Sequence, residues 1–151
     1  MVKSKPSDLK LEEFLPYRLS YLTNNISQGL SKLYTDKFGL AHPEWRVMAV
    51  LGRFSNISAA MVAEKTAMDK VAVSRAINNM IKNDLINRTF ADDDKRRSEL
   101  SLSITGREKY EKIVPLVQSY EKELINTLNP SEQDNLDDIL TKLTQAVQNQ
   151  D

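Results

Sequence analysis

The chain of 151 residues contains no cysteine and only one histidine, His42. Without cysteine it has no disulfide bond, no thiolate metal site, no cysteine nucleophile and no thiol redox switch. A single histidine also excludes sites that need two or more histidine ligands, so we expect no bound metal. The four glycines form neither a Gly-x-Gly-x-x-Gly nor a Walker pattern, and we therefore expect no cofactor.

Long apolar runs are also missing. No segment approaches the roughly 18 consecutive apolar residues that a membrane-spanning helix needs. The first residues, MVKSKPSDLKLEEF, lack the apolar core of a signal peptide, so we expect a cytoplasmic protein. Hydrophobic residues make up 40% of the chain and charged residues 28%, which is typical of one globular domain spanning residues 1–151.

Charge is balanced over the whole chain but not along it. Lysine and arginine number 21, as do aspartate and glutamate. Residues 46–109 carry a net charge of +4, whereas residues 110–151 carry −5. A basic middle segment is compatible with a nucleic-acid-binding surface, although an excess of this size also arises in proteins that bind no nucleic acid.

Apolar residues spaced three and four apart predict four helices in the first two thirds of the chain. Ser58 and Asp69 are typical N-caps for the two short ones, and Asn83-Asp84 is suited to a left-handed turn after the fourth. The predicted bounds of the four helices are residues 15–39, 43–55, 59–66 and 70–83.

The rest of the chain combines a hairpin with two more helices. Residues 86–90 and 98–102 predict two short strands, joined by a charged turn over residues 92–97, DDDKRR. The fifth helix contains Pro115, which should bend it. A break at Asn129 precedes a final amphipathic helix.

Two short helices in tandem, followed at once by a charged hairpin, are the order of a winged helix-turn-helix. In that fold the second helix enters the major groove of DNA and the wing reaches a neighbouring groove. Arginine can form two hydrogen bonds with guanine, and asparagine can form two with adenine. With Val73, Ile77 and Met80 facing inward, we expect the outward residues to contact DNA, although a solvated polar helix face is the alternative. These residues are Lys70, Val71, Ala72, Ser74, Arg75, Asn78 and Asn79.

The charged turn is the candidate wing. We expect Arg96 and Arg97 to contact a groove or phosphates, with Asp94 orienting Arg96 through a charge-assisted hydrogen bond. Arginine suits the narrow, electronegative minor groove. Further candidate phosphate contacts are Ser58, Lys82, Arg88 and Lys95.

These segments resemble the MarR (multiple antibiotic resistance regulator) family, over residues 11–148. The family's recognition helix, with the Gly-Leu-Ile/Val-x-Arg turn that follows it, resembles the segment VSRAINNMIKNDLINR. Asp84 stands in place of the glycine of that turn. This turn therefore needs an aspartate at positive φ. DDDKRRSELSLSITGR resembles the wing, with the Asp-x-Arg signature at Asp94 and Arg96, followed by a Leu-Thr-x-x-Gly motif in which Ser103 replaces threonine. LAHPEWRVMAVL resembles the family's second helix more loosely.

The resemblance implies a mainly α fold with a small β-hairpin wing, acting as a homodimeric DNA-binding repressor or, less often, an activator. Residues 43–103 would form the winged helix-turn-helix, and residues 11–39 and 104–149 the dimerisation helices. A dimer places two recognition helices about one DNA turn apart. Because the two subunits are related by two-fold symmetry, the resemblance implies a pseudo-palindromic operator. The extensive apolar stripes of the terminal helices agree with dimerisation, and the alternative is that they pack on their own subunit.

The resemblance further implies a small aromatic or phenolic anion that releases the DNA. An arginine with aromatic walls can hold a carboxylate, but these side chains also suit core or interface packing. His42 is a candidate pH sensor or ligand contact, or a surface residue before Pro43. The candidate lining residues are Tyr17, Arg18, Tyr21, Trp45 and Met48.

Two other classes of protein compete with this interpretation. A small helical enzyme would need a shielded carboxylate, yet Glu12-Glu13, residues 92–94 and Asp137-Asp138 occur in segments that we expect to be exposed. A helical protein-interaction adaptor would use the terminal stripes but leave Arg75 and Asn78 without a role. We therefore predict a DNA-binding regulator and no enzyme.

Overall fold

The structure, a computed structural model, describes residues 8–91 and 94–150, with only the backbone described for Ala91 and residues 94–97. A short 3₁₀ turn, Leu11–Glu13, precedes six helices and one two-stranded antiparallel hairpin. This confirms the predicted fold class. The elements are α1 (Leu15–Phe38), α2 (His42–Arg53), α3 (Ala59–Thr66), α4 (Lys70–Lys82), β1 (Ile86–Ala91), β2 (Asp94–Leu102), α5 (Ile104–Ile125) and α6 (Pro130–Gln148).

The chain divides into two compact units between Ile113 and Val114, within α5. The core of the first unit is made by α2, α3, α4 and the hairpin, together with Tyr34 of α1, Leu40 two residues after the end of α1, and Ile113 of α5. The predicted inward stripe of α4 is confirmed. Side chains that bury almost all of their surface in this core include Tyr34, Leu40, Val47, Met48, Leu51, Val62, Val73, Ile77, Met80, Leu100 and Ile113.

The second unit is a helical hairpin formed by the last part of α5 and by α6. Asn129 and Glu132 form a capping box, in which each side chain accepts the other residue's N–H at 2.9 Å. The Gln133 amide donates to the carbonyls of Ile125 and Leu128, which closes the turn. None of the described side chains of this unit is fully buried.

Local sequence explains where the helices begin and end. Gly39 adopts φ 65° and closes α1 in the left-handed conformation that glycine favours. The Ser58 hydroxyl accepts the Met61 N–H at 3.1 Å, and the Asp69 carboxylate accepts the Val71 N–H at 3.2 Å, which confirms both predicted N-caps.

The turn after α4 is built around Asp84. Asp84 has φ 59°, which confirms that an aspartate occupies a positive-φ position at the place of the family's glycine. Asn83 keeps φ −93° and is not left-handed. The left-handed turn therefore needs only one of the two residues that favour it.

The second strand of the hairpin is longer than predicted. β2 begins at Asp94, so residues 94–97 belong to the strand and not to the turn. Phe90 pairs with Ser98 while Ala91 pairs with Asp94, which leaves three additional residues on the β2 side as a bulge. The charges of DDDKRR indicate exposure, but backbone pairing decides where a strand begins.

Helix α2 ends earlier than predicted, and this changes the position of Phe54. The spacing of the apolar residues places Phe54 in the buried stripe, but α2 ends at Arg53. The Phe54 ring is exposed, with the Lys65 ammonium 4.0 Å from its centre. A cation over the ring face stabilises an exposed aromatic side chain.

The start of α5 is tied to the turn that follows α4. Ser103 donates its N–H to the Leu85 carbonyl at 2.9 Å and its hydroxyl to the Asp84 carbonyl at 2.6 Å. The same hydroxyl accepts the Gly106 N–H at 2.9 Å. A Cβ on Gly106 would lie 2.1 Å from the Leu85 carbonyl oxygen, so only glycine allows this approach. The Leu-Ser-x-x-Gly motif therefore sets where α5 begins relative to α4.

Candidate nucleic-acid interface

Helix α4 presents the polar face that the sequence predicts. Ala72 is partly exposed and the other six predicted residues are exposed. On the opposite side Val73, Ala76, Ile77 and Met80 are buried. The exposure of the face is confirmed, while its contact with DNA stays a prediction. The six exposed residues are Lys70, Val71, Ser74, Arg75, Asn78 and Asn79.

The exposed residues form one stripe along α4, which we call the α4 stripe: Val71, Ser74, Arg75, Asn78 and Lys82. Their spacing of three and four residues places them on one side of the helix. Arg75 supplies a forked set of donors, and Asn78 supplies a carboxamide that can both donate and accept. The N-terminal end of the helix adds partial positive charge that favours phosphate.

The candidate phosphate contacts are divided between the α4 stripe and neighbouring elements. Lys82, the last residue of the stripe, is exposed in the last turn of α4, and Arg88 is exposed on β1. Ser58 is partly exposed, and its oxygen already accepts the Met61 N–H as the cap of α3. Its hydroxyl hydrogen can still be donated to a phosphate oxygen.

The predicted wing residues lie in the strand β2. The side chains of these residues lie outside the described part of the chain, so the proposed hydrogen bond from Arg96 to Asp94 stays a prediction. The wing residues are Asp94, Lys95, Arg96 and Arg97.

The residues predicted to line an effector pocket fall into two groups. Tyr17, Arg18 and Tyr21 are exposed on α1, with the two tyrosine rings 6.1 Å apart. Met48 is fully buried. The Trp45 ring stacks between Tyr34 at 5.6 Å and Tyr110 at 6.4 Å, between ring centres. Trp45 and Met48 therefore pack within the chain, as the packing alternative expects.

A cavity of about 330 Å³ lies instead beside the start of α2. It is lined by His42 and by polar residues of α1 that the sequence analysis did not single out. Their spacing of three and four residues is the signal that could have found them. The polar side of α1 therefore faces α2. The α1 residues are Asn24, Ser27, Gln28 and Ser31.

Comparison with known proteins shows which family this chain resembles. A sequence model of the MarR family matches residues 38–97, from the end of α1 into β2. The structure is similar to a MarR/EmrR family transcriptional regulator from Acinetobacter sp. ADP1, with 28% identity, 93% of this chain and 99% of that chain covered, and a TM-score of 0.86. The chain is therefore similar in sequence to the MarR family of transcriptional regulators and shares their fold.

Two other solved structures share the MarR fold with this chain at 20% identity. One is BpsR of Bordetella bronchiseptica, whose DNA binding is regulated by 6-hydroxynicotinic acid. The match includes 91% of this chain and 98% of that chain, with a TM-score of 0.79. The other is MepR of S. aureus in its complex with DNA, for which the match includes 84% of this chain and 96% of that chain, with a TM-score of 0.74. At this identity they establish the fold.

The single histidine of the chain, His42, lies in surroundings that disfavour its charged form. Nδ1 of His42 and the Tyr34 hydroxyl form a hydrogen bond. Burial lowers the pKa of His42, and the positive charge of Arg46, one turn along α2, lowers it further. Burial also raises the pKa of the Tyr34 hydroxyl, so both partners stay uncharged at neutral pH.

The stability of the MarR fold in this chain should fall in acid because of His42. A histidine whose folded-state pKa is lowered stabilises the fold above its unfolded pKa of about 6.5, and this stability is lost as the pH falls through the folded-state pKa. We expect the free energy of unfolding, measured with urea from pH 8 to 5, to fall more steeply in the wild type than in His42→Asn. The asparagine amide has its polar atoms where Nδ1 lies, so it can still form a hydrogen bond with the Tyr34 hydroxyl but cannot take up a proton. Superimposed profiles would contradict the expected role of His42.

Proposed function

We propose that the chain is a homodimeric transcriptional repressor that binds a specific double-stranded DNA sequence through α4 and the wing. The α4 stripe carries this proposal, because it combines exposed base-reading side chains with a fully packed opposite side. An arginine and an asparagine one turn apart are the residue types that read guanine and adenine in the major groove. The DNA complex of the structurally similar MepR supports this use of the fold.

The proposal of a homodimer is supported by apolar stripes that the single chain leaves exposed. On α1, Leu15, Leu19 and Leu22 are exposed, while the polar side of the helix lines the cavity next to His42. On α6, Ile139 and Leu140 are exposed. An amphipathic helix normally turns its apolar stripe towards the core, so we propose that a second copy of the chain covers both stripes. Such a dimer would bind a pseudo-palindromic operator.

We further propose that a small aromatic anion releases the repressor from DNA. The regulation of BpsR by 6-hydroxynicotinic acid supports this effector class. Tyr17, Arg18 and Tyr21 are exposed and free of the core, so they remain the candidate contacts among the predicted pocket residues. A repressor acts where the DNA is, which for this chain is the cytoplasm.

The competing enzyme hypothesis receives little support from the candidate carboxylates. Glu12-Glu13 and Asp137-Asp138 are exposed to solvent. General acid–base catalysis by a carboxylate requires a shielded pocket, which these residues lack. We therefore propose a regulator without catalytic activity.

Replacing Arg75 with alanine tests the proposed function directly. Because Arg75 is exposed, the variant should keep the unfolding curve of the wild type. Its binding to an operator selected from random DNA should weaken by about 1–3 kcal/mol, or roughly 5- to 150-fold. The measurement is a fluorescence anisotropy titration with the operator and with a scrambled duplex.

Lys82→Ala is the matched control for Arg75→Ala. It removes one positive charge from the same stripe without removing a base contact. It should weaken binding to both duplexes equally and reduce the slope of log K against log salt by about two, because the proposed dimer loses one phosphate contact in each subunit. An Arg75→Ala variant that loses affinity equally for both duplexes would contradict base readout. A selection from random DNA that enriches no sequence would instead favour the alternative of a helical protein-interaction adaptor.

A further inference from the structure

One apolar side chain stands in the otherwise polar α4 stripe. Val71 is 56% exposed, with Ser74 and Arg75 one turn further along the helix and Asn78 two turns further along. Valine is a weaker helix former than alanine, and a side chain exposed to this degree adds little to the core. The folded chain alone therefore gives no reason for a valine at this position.

The conformation of Val71 is set before any DNA is present. Its N–H donates to the Asp69 carboxylate at 3.2 Å, and the side chain of Val73, two residues on, is buried in the core. A β-branched side chain in a helix has one strongly preferred χ1 rotamer. The isopropyl group is therefore a rigid apolar surface in the first turn of α4, at the end of the helix that attracts phosphate.

We propose that Val71 is a specificity-determining residue that contacts the C5-methyl group of a thymine in each operator half-site. Thymine alone presents a methyl group in the major groove, where apolar side chains can contact it. This inference rests on the proposed function and extends it by naming a T·A base pair next to the pairs read by Arg75 and Asn78. The alternative is that Val71 is an ordinary exposed apolar residue.

The test replaces thymines of the selected operator with deoxyuridine, one position at a time, which removes only the methyl group. We expect one thymine in each half-site at which uracil weakens binding about fourfold, the change that corresponds to about 0.8 kcal/mol for one methyl-sized group. Substitution in both half-sites should weaken binding about fifteenfold. The other thymines of the same duplex are internal controls.

Two protein variants assign the effect to Val71. The Val71→Ala variant, in which alanine also favours the helix, should bind the operator with thymine and the operator with uracil at that position with nearly equal affinity. In Lys82→Ala the fourfold penalty should remain, because a phosphate contact is independent of the methyl group. Equal affinity for uracil and thymine at every position in the wild type would overturn the inference. A penalty that persists unchanged in Val71→Ala would overturn it as well.

The same experiment separates this inference from the function on which it rests. If an operator is enriched and Arg75→Ala loses specificity, but no thymine methyl group matters, the assignment of Val71 fails and the proposed function stands. If no sequence is enriched from random DNA, the proposed function fails and the inference fails with it.

Discussion

Replacing Leu22 and Ile139 together with glutamate should convert the proposed dimer into a folded monomer and weaken operator binding by about 100-fold or more. Each of the two side chains is 53% exposed in the single chain, so the change leaves the core of the subunit unaltered. At a subunit interface the same glutamates would be buried charges without partners, which strongly disfavours association. A monomer engages only one half-site and loses the contribution of the second.

Sedimentation equilibrium and operator titration measure the two consequences. The wild type should show about twice the 17.2 kDa mass of one chain, and the double variant about that mass. The matched control is Ser20→Glu with Thr141→Glu, which adds the same two charges at exposed positions on the other sides of α1 and α6. The control should remain dimeric. A double variant that still sediments as a dimer would show that these stripes are not the interface.

Replacing Gly106 with alanine should destabilise the fold by about 3 kcal/mol, the upper part of the usual range for overpacking. The new Cβ would lie 2.1 Å from the Leu85 carbonyl oxygen, which is backbone and cannot rotate away. The start of α5 would have to move, and with it the hydrogen bonds that Ser103 makes with Asp84 and Leu85.

Urea unfolding at neutral pH gives the free energy for this comparison. Gly39→Ala is the control, because Gly39 has a positive φ but nothing within 4 Å of its Cβ position, so its cost should be only about 1 kcal/mol. If the two variants are equally stable, the contact with Leu85 does not govern the position of α5. A large loss in Gly106→Ala alone would establish that it does.

The order of the helices and the exposed polar face of α4 could be predicted from the sequence because both depend on local patterns. The Ser58 and Asp69 caps lie within three residues of the N–H groups that they accept. The division of α4 into a buried and an exposed side follows from a 3.6-residue period. These interactions form between near neighbours in any fold, so the α4 stripe was predictable residue by residue.

Other features required the folded chain because they join residues that are far apart in sequence. The stack of Trp45 between Tyr34 and Tyr110 decides that Trp45 is a packing residue. The cavity beside His42 depends on which side of α1 faces α2. The residue at which β2 begins depends on its pairing with β1, and charge does not encode that pairing.

The amino-acid sequence alone determined the helices, their caps, the positive-φ aspartate and the polar face offered to DNA, since each is set by contacts within a few residues. Only the tertiary structure decided which aromatic rings pack together, why Gly106 tolerates no side chain and that Leu15, Leu19 and Leu22 of α1 stay exposed in the single chain. Those outcomes depend on how distant segments fill the same space, and no short-range pattern specifies that.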